Sequence, residues 1–241
     1  MDANVGRLID WLETNGQREN TIVLHFSDNG MNMGHHGIFG KGNGTFPLNM
    51  YEESVKVPAL ISAPGRCREG VVEQGLFSHY DLLPTLCEVL DLALPEPEKL
   101  PGESLAPILR GQGMPGREDV ITFEEYGPVR MIRSREWKYI HRYPYGPHEL
   151  YHLSEDPGEA HNLVSDAASA PLIESMKAKL DAFFVRYGDP SRDGTHEPVR
   201  GSGQLDLAGL AGEGRKAHFG PLPYVDANGH PREEGYQPPP V

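Results

Sequence analysis

Asp28 and Asn29 close an apolar run, Thr21-Ile22-Val23-Leu24-His25-Phe26. Lys41 follows thirteen residues after Asp28, on the glycine-rich stretch Gly34-His35-His36-Gly37-Ile38-Phe39-Gly40-Lys41-Gly42. A carboxylate beside a carboxamide offers oxygen ligands to a hard cation such as Ca²⁺, which takes roughly six to eight of them. Two ligands leave that shell incomplete, so the others must come from elsewhere. Asp-Asn-Gly is also an excellent turn sequence in its own right. A lone lysine is by default a solvated one, but glycines on both sides let backbone approach a ligand closely. There the Lys41 ammonium would stabilise charge on an anionic ester. His36, more than His35, is a candidate proton donor, although adjacent loop histidines commonly do nothing specific. His25, inside the apolar run, reads as a core histidine, and His79 stands beside a helix start. Arg130, Arg133 and Tyr145 read first as sheet and surface residues, and only second as lining of a site.

These residues need elements to hold them. Val5, Leu8, Ile9 and Leu12 keep the i, i+3, i+4, i+7 rhythm of an amphipathic helix over residues 3–15, stopped by Asn15-Gly16. The run at 21–26 is apolar without alternation, which predicts a central parallel strand covered on both faces. In open α/β sheets the C-terminal ends of strands are where ligands bind, and Asp28 falls there. Residues 27–53 read as a long loop, and Val55–Ile61 as the next strand, placed at an edge by Pro58. Ser78-His79-Tyr80-Asp81 resembles a capping box opening a helix through Leu90. From 119 to 153 four short strands recur, Val120–Phe123, Val129–Arg133, Trp137–His141 and Glu149–Leu153, predicting an antiparallel meander. Pro171, Leu172, Met176, Leu180, Phe183, Phe184 and Tyr187 then trace a helix stripe expected to cover that meander. From about 189 the chain is rich in Gly, Pro and charge.

Composition narrows the function classes. With 22 basic and 35 acidic residues, the net charge of −13 argues against a nucleic-acid partner. No apolar run reaches the length of a membrane span. Cys67 and Cys87 provide neither a disulfide framework nor a zinc spacing.

Several pieces in order resemble the sulfatase family of the alkaline-phosphatase-like superfamily. They are Asn20–Val23 into Ser27-Asp28-Asn29-Gly30, Gly34-His35-His36-Gly37 to Gly40-Lys41, Tyr51-Glu52-Glu53-Ser54-Val55-Lys56-Val57-Pro58, and Ser78–Leu86. Arg133, Trp137–Ile140, Glu149–Leu153, Asp156-Pro157 and Asn162-Leu163 complete the set. The resemblance covers residues 3–187 and implies an α/β fold. Residues 1–117 would be the C-terminal part of an α/β sandwich core, and 118–188 a small antiparallel sheet plus helix. Residues 189–241 would be a Gly/Pro-rich tail. The resemblance also implies hydrolysis of sulfate esters, with Asp28 and Asn29 as Ca²⁺ ligands, Lys41 on the sulfate and His36 as a catalytic candidate. The implied partner is a sulfated small molecule or sugar.

The family's nucleophile is a formylglycine made in Cys/Ser-x-Pro-x-Arg, and neither Cys67 nor Cys87 lies in that pattern. Gly188-Asp189-Pro190-Ser191-Arg192 comes near it, but Gly188 has no side chain to oxidise. The expectation is therefore a C-terminal portion, inactive alone, with a missing N-terminal half as a further partner. Two alternatives stay open. One is a phosphonate or phosphodiester hydrolase of the same superfamily, using Mn²⁺ or Zn²⁺; Asn29, where those enzymes tend to place His, argues for sulfate. The other is a non-catalytic binding module.

Overall fold

The computed structural model describes residues 1–45, 48–112, 116–124, 127–195, 199–200 and 203–204. In chain order the main elements are α1 (Asp2–Thr14), β1 (Val23–Phe26), β2 (Asn32–Met33), β3 (Phe39–Gly40), α2 (Glu52–Val55) and β4 (Ala59–Ser62). They continue with α3 (Leu82–Val89), α4 (Ala106–Leu109), β5 (Val120–Phe123), β6 (Val129–Arg133), β7 (Trp137–Arg142), β8 (Glu149–His152) and α5 (Ala170–Tyr187). The chain divides into two compact units. The first comprises Met1–Gly30 and Lys56–Glu118; the second comprises Met31–Val55 and the described residues from Asp119 onward.

In the first unit β1 pairs antiparallel with β4, Leu24 opposite Ile61 and Phe26 opposite Ala59. The expected central parallel strand is thus an antiparallel pair, and β1 has no second neighbour among the described residues. Apolar continuity reports that both faces want cover; it carries no information about the direction of the partner strand. The second strand also begins later than expected, at Ala59. Pro58 has no N–H to give a ladder and restricts Val57 before it, so Val55 ends α2 instead.

The capping box at Ser78 is present. Asp81 accepts from the Ser78 backbone N–H at 2.9 Å. Asp81 has no solvent exposure. It also accepts from the Glu103 backbone N–H at 2.9 Å and from the Arg117 guanidinium, whose Nε lies 3.1 Å away. This carboxylate therefore ties the start of α3 to the segments on either side of α4.

The second unit is built on the expected meander, in the order β5-β6-β7-β8, all antiparallel. The two-residue period of a strand sends alternate side chains to opposite faces. Val129, Met131, Ile140 and Tyr151 join Leu48, Met50 and Leu153 in one cluster. Ile132, Tyr139 and Leu150 join Ile121 and, from α5, Met176 and Leu180 in the other. The helix thus covers one face, as its stripe foretold, with Pro171 in its first turn. The other face is covered by the segment around Leu48–Tyr51, a stretch expected to be loop.

Two basic residues of β7 point into that second interface. The Lys138 ammonium, wholly buried, donates to Met50 O at 2.9 Å and to Glu159 Oε1 at 2.8 Å, and pairs with Glu52 Oε1 at 2.7 Å. Arg142 donates from Nη2 to Leu48 O at 2.9 Å and pairs with Glu149 at 2.9 Å. The carbonyls of Leu48 and Met50 and the carboxylate of Glu52 are thereby fixed on the sheet. The tail from 189 falls mostly outside the described residues.

Candidate functional site

Asp28 and Asn29 leave β1 in a hydrogen-bonded turn. Ser27 Oγ donates to Asn29 O at 2.8 Å and lies 3.3 Å from Asp28 Oδ1. Asn29 Nδ2 donates to Gly30 O at 2.8 Å, which leaves Oδ1 as the acceptor of the side chain. Asn29 Oδ1 and Asp28 Oδ2 have no partner among the described residues. A carboxylate and a carboxamide oxygen, both unspent, form a donor set that suits a hard cation. The turn and the ligand readings therefore coexist: the turn is what presents the oxygens.

His79 belongs beside them. Its Nε2 donates to Ser27 O at 2.8 Å, and its ring leans on Phe26 at 5.9 Å. A carbonyl oxygen can only accept, so Nε2 carries the proton. The sequence placed His79 beside a helix start, where it could face a cleft although capping alone accounts for the region. Its reach across 52 residues to Ser27 is a tertiary fact.

Lys41 lies in the second unit, directly after a short hairpin. Strands β2 and β3 pair Asn32 with Gly40 and Met33 with Phe39. The connection runs through left-handed backbone at Gly34 (φ 100°), His36 (φ 55°) and Gly37 (φ 73°). Gly40 follows with φ 141°, a conformation closed to side-chain-bearing residues. A Cβ on Gly42 would stand 3.0 Å from Asn49 O. The glycines flanking Lys41 therefore serve the path of the backbone.

A buried polar network holds that path. Asn32, with no solvent exposure, donates from Nδ2 to Gly40 O at 3.2 Å and to Ser54 Oγ at 2.7 Å. Ser54 Oγ in turn donates to Asn49 Oδ1 at 2.6 Å. Asn49 Nδ2 donates to Lys41 O at 3.3 Å, Gly42 O at 3.2 Å and Thr45 Oγ1 at 3.0 Å. Three consecutive carbonyls, those of Gly40, Lys41 and Gly42, are thus gripped by two asparagines joined through one serine. The Lys41 ammonium itself makes no ion pair with a described residue.

His36 is held on the same frame. Its ring stacks on Tyr51 at 3.7 Å and 8°, and its Nε2 lies 3.4 Å from Glu53 Oε2. Sequence reasoning missed Tyr51, Glu53, Asn32, Asn49 and Ser54 as residues of this site. Tyr51-Glu52-Glu53-Ser54 was visible only as a familiar string; the partners across the fold explain it.

His36, Glu53 and Glu159 bring ligand atoms within 4.8 Å of one another. A cation already serves this cluster, the Lys138 ammonium at 2.8 Å from Glu159. Burial pushes the Glu159 carboxyl up against the pull of Lys138. Of the remaining candidates, Arg130 lies 3.6 Å over the Phe184 ring and pairs with Asp193 at 2.7 Å. Arg133 pairs with Glu52 at 3.0 Å, and Tyr145 is 94% exposed. Burial pushes the Cys67 thiol up, away from the thiolate a nucleophile needs, and Cys87 is buried in α3.

Oxygen donors at the exit of an α/β strand, a lysine on a glycine hairpin, and a following antiparallel sheet capped by one helix define an alkaline-phosphatase-like hydrolase fold. Within that class the chain belongs to the sulfatase family: the family described as N-sulphoglucosamine sulphohydrolase, C-terminal, matches residues 34–185. The chain is 34% identical over 182 residues to a Delta 4,5-hexuronate-2-O-sulfatase of Bacteroides thetaiotaomicron, covering 72% of this chain and 36% of that protein. It is 32% identical over 228 residues to human arylsulfatase A, covering 78% of this chain and 43% of the relative. It therefore spans about two fifths of the curated relatives it matches. A solved structure in complex with its substrate D-glucosamine-2-N,6-O-disulfate superposes with TM-score 0.69 at 28% identity, over 82% of this chain and 40% of that one. A phosphonate monoester hydrolase of Agrobacterium radiobacter superposes with TM-score 0.67 at 25% identity, over 85% and 42%.

Proposed function

We propose that this chain supplies part of the machinery for hydrolysing sulfate esters of small molecules or sugars. The observation that carries the reading is the pair of unspent oxygens on Asp28 and Asn29, presented by their own turn at the end of β1. They would hold Ca²⁺, which when bound neutralises charge on the ester. Lys41 binds sulfate oxygens electrostatically, and the Asn32–Ser54–Asn49 network keeps its backbone in register. His36, set by Tyr51 and Glu53, is the candidate proton donor. The nucleophile is not among these residues, since neither cysteine lies in Cys/Ser-x-Pro-x-Arg. Alone, the chain is expected to leave an aryl sulfate untouched in the presence of calcium, at the rate of the buffer blank.

Calorimetric titration with Ca²⁺ tests the donor pair. Asp28→Ala should weaken calcium binding at least tenfold and Asn29→Ala several-fold, with unfolding midpoints unchanged. Equal calcium affinity in wild type and Asp28→Ala would remove the reading. The likeness to a phosphonate hydrolase keeps a second reading, phosphoryl transfer, in play. A wild-type preference for Mn²⁺ or Zn²⁺ over Ca²⁺ would favour it.

A further inference from the structure

The tetrapeptide His152-Leu153-Ser154-Glu155 carries three side chains that the sulfate chemistry leaves unused. His152 ends β8 and stands opposite Trp137 of β7. Its imidazole stacks on the Trp137 indole at 4.1 Å and 11°, which fixes the plane of the ring. His152 Nδ1 lies 3.0 Å from Glu155 Oε2, and Nε2 lies 3.1 Å from Ser154 Oγ. A carboxylate can only accept, so Nδ1 carries the proton. In the neutral ring the Nε2 lone pair is then left for the serine hydroxyl. The order is a nucleophile within reach of a base that a third group orients.

Backbone hydrogen bonds hold this order. The His152 carbonyl accepts from the N–H groups of Glu155 at 3.1 Å and Asp156 at 2.8 Å. Buried Leu153 donates from its N–H to Glu136 O at 2.7 Å. These bonds close the turn that returns residues 154 and 155 to the imidazole. The Ser154 N–H makes no hydrogen bond with a described residue, so it is free to donate to an oxyanion on the carbon that Oγ attacks. Ser154 and Glu155 are exposed. Water screens an exposed pair, which restricts the base to acyl groups that already carry a good leaving group.

We infer that Ser154 is a nucleophile towards small activated acyl esters, with His152 as its base and Glu155 as a positioning residue. Ser154 Oγ attacks the carbonyl carbon while its proton passes to His152 Nε2. The bond from that carbon to the leaving oxygen breaks. The leaving oxygen departs with the electron pair and takes the proton from Nε2, and acyl-Ser154 remains. Water, deprotonated by the same nitrogen, then releases the carboxylic acid and restores Ser154. None of this draws on calcium or sulfate, so a failed calcium titration would leave it standing.

The test treats the purified chain with p-nitrophenyl acetate. Nitrophenolate release is followed by absorbance, and the acetylated residues are mapped by mass spectrometry of proteolytic peptides. Ser154 should acquire acetyl about a hundredfold faster than Ser165, which is also exposed but has no histidine partner among the described residues. His152→Gln should slow acetylation of Ser154 about a hundredfold, and Glu155→Ala about threefold. Ser154→Ala should remove the initial burst of nitrophenolate. Matching far-UV dichroism would show that the variants fold, and the comparison of Ser154 with Ser165 needs no variant. Three results would overturn the inference. One is acetylation of Ser154 at the rate of Ser165, which would mean that the contacts only close a turn. Another is a full burst in Ser154→Ala, which would make His152 itself the acceptor. The third is a His152→Gln variant that acetylates Ser154 at the wild-type rate.

Discussion

Replacing Lys138 by Met tests how the sheet holds the segment that carries the site frame. The ammonium is wholly buried, and its three N–H groups are spent on Met50 O, Glu159 Oε1 and Glu52 Oε1 at 2.7–2.9 Å. Methionine keeps the length of the stem, so no cavity opens. What remains is two carboxylates that have lost their shared counter-ion. Glu52 keeps Arg133, and Glu159 keeps the Glu52 backbone N–H at 2.6 Å. Breaking a buried pair from one side costs about 3–5 kcal/mol, and the two surviving contacts place the expectation at about 3 kcal/mol.

The pH dependence follows from the signs. Burial raises the Glu159 carboxyl, so its contribution is present below its unfolded pKa and lost as pH rises through the folded one. Glu52 is also penalised by burial, but Lys138 and Arg133 outweigh this and lower it. Its contribution is present above its unfolded pKa and lost as pH falls. In Lys138→Met both carboxyls shift upward, so the variant recovers stability as pH falls from 8 towards 5. Urea unfolding followed by tryptophan emission, with Trp137 next along β7, reads the difference. A deficit under about 1 kcal/mol, or one that does not shrink on acidification, would refute the account, because buried carboxylates that lose their shared counter-ion are costly when charged and less so when protonated.

Asn49→Ala removes the side chain that grips Lys41 O and Gly42 O and leaves Ser54 Oγ without its acceptor. A loss of about 1–3 kcal/mol is expected, with faster amide exchange confined to 39–45; a uniform change across the chain would contradict it. Arg117→Leu strands the wholly buried Asp81 and should lower the stability of the first unit by about 3 kcal/mol, seen as early exchange of α3 in native-state hydrogen exchange. His141 is pushed down to about 4 by burial, then by His148 stacked at 4.1 Å and by Lys177. A lowered histidine contributes above its unfolded pKa and loses that contribution as pH falls. Denaturant stability should therefore drop by about 2 kcal/mol between pH 6.5 and pH 5, and His141→Gln should flatten the slope. A slope equal to wild type would count against it.

Much of this was legible in the chain itself. The strands of the meander and the stripe of α5 declare themselves because a half-buried strand or helix repeats at its own period, and β5 and β6 fall on the expected residues. The Ser78/Asp81 cap is a local exchange within four residues and needs no fold to be seen. Asp28, Asn29 and Lys41 could be singled out because their types and spacing follow the familiar order of a sulfatase.

Tertiary structure decided the rest, and the reason is the same each time. Which way β1 meets β4, that Ser27 receives His79, that Asn32, Ser54 and Asn49 close on the carbonyls around Lys41, and that Lys138 is a buried post between two glutamates are all pairings across long stretches of chain. A buried polar group demands a partner, but the demand does not name one. The residues that could do chemistry were written in the sequence. The residues that hold them in place acquire their role only when distant segments meet.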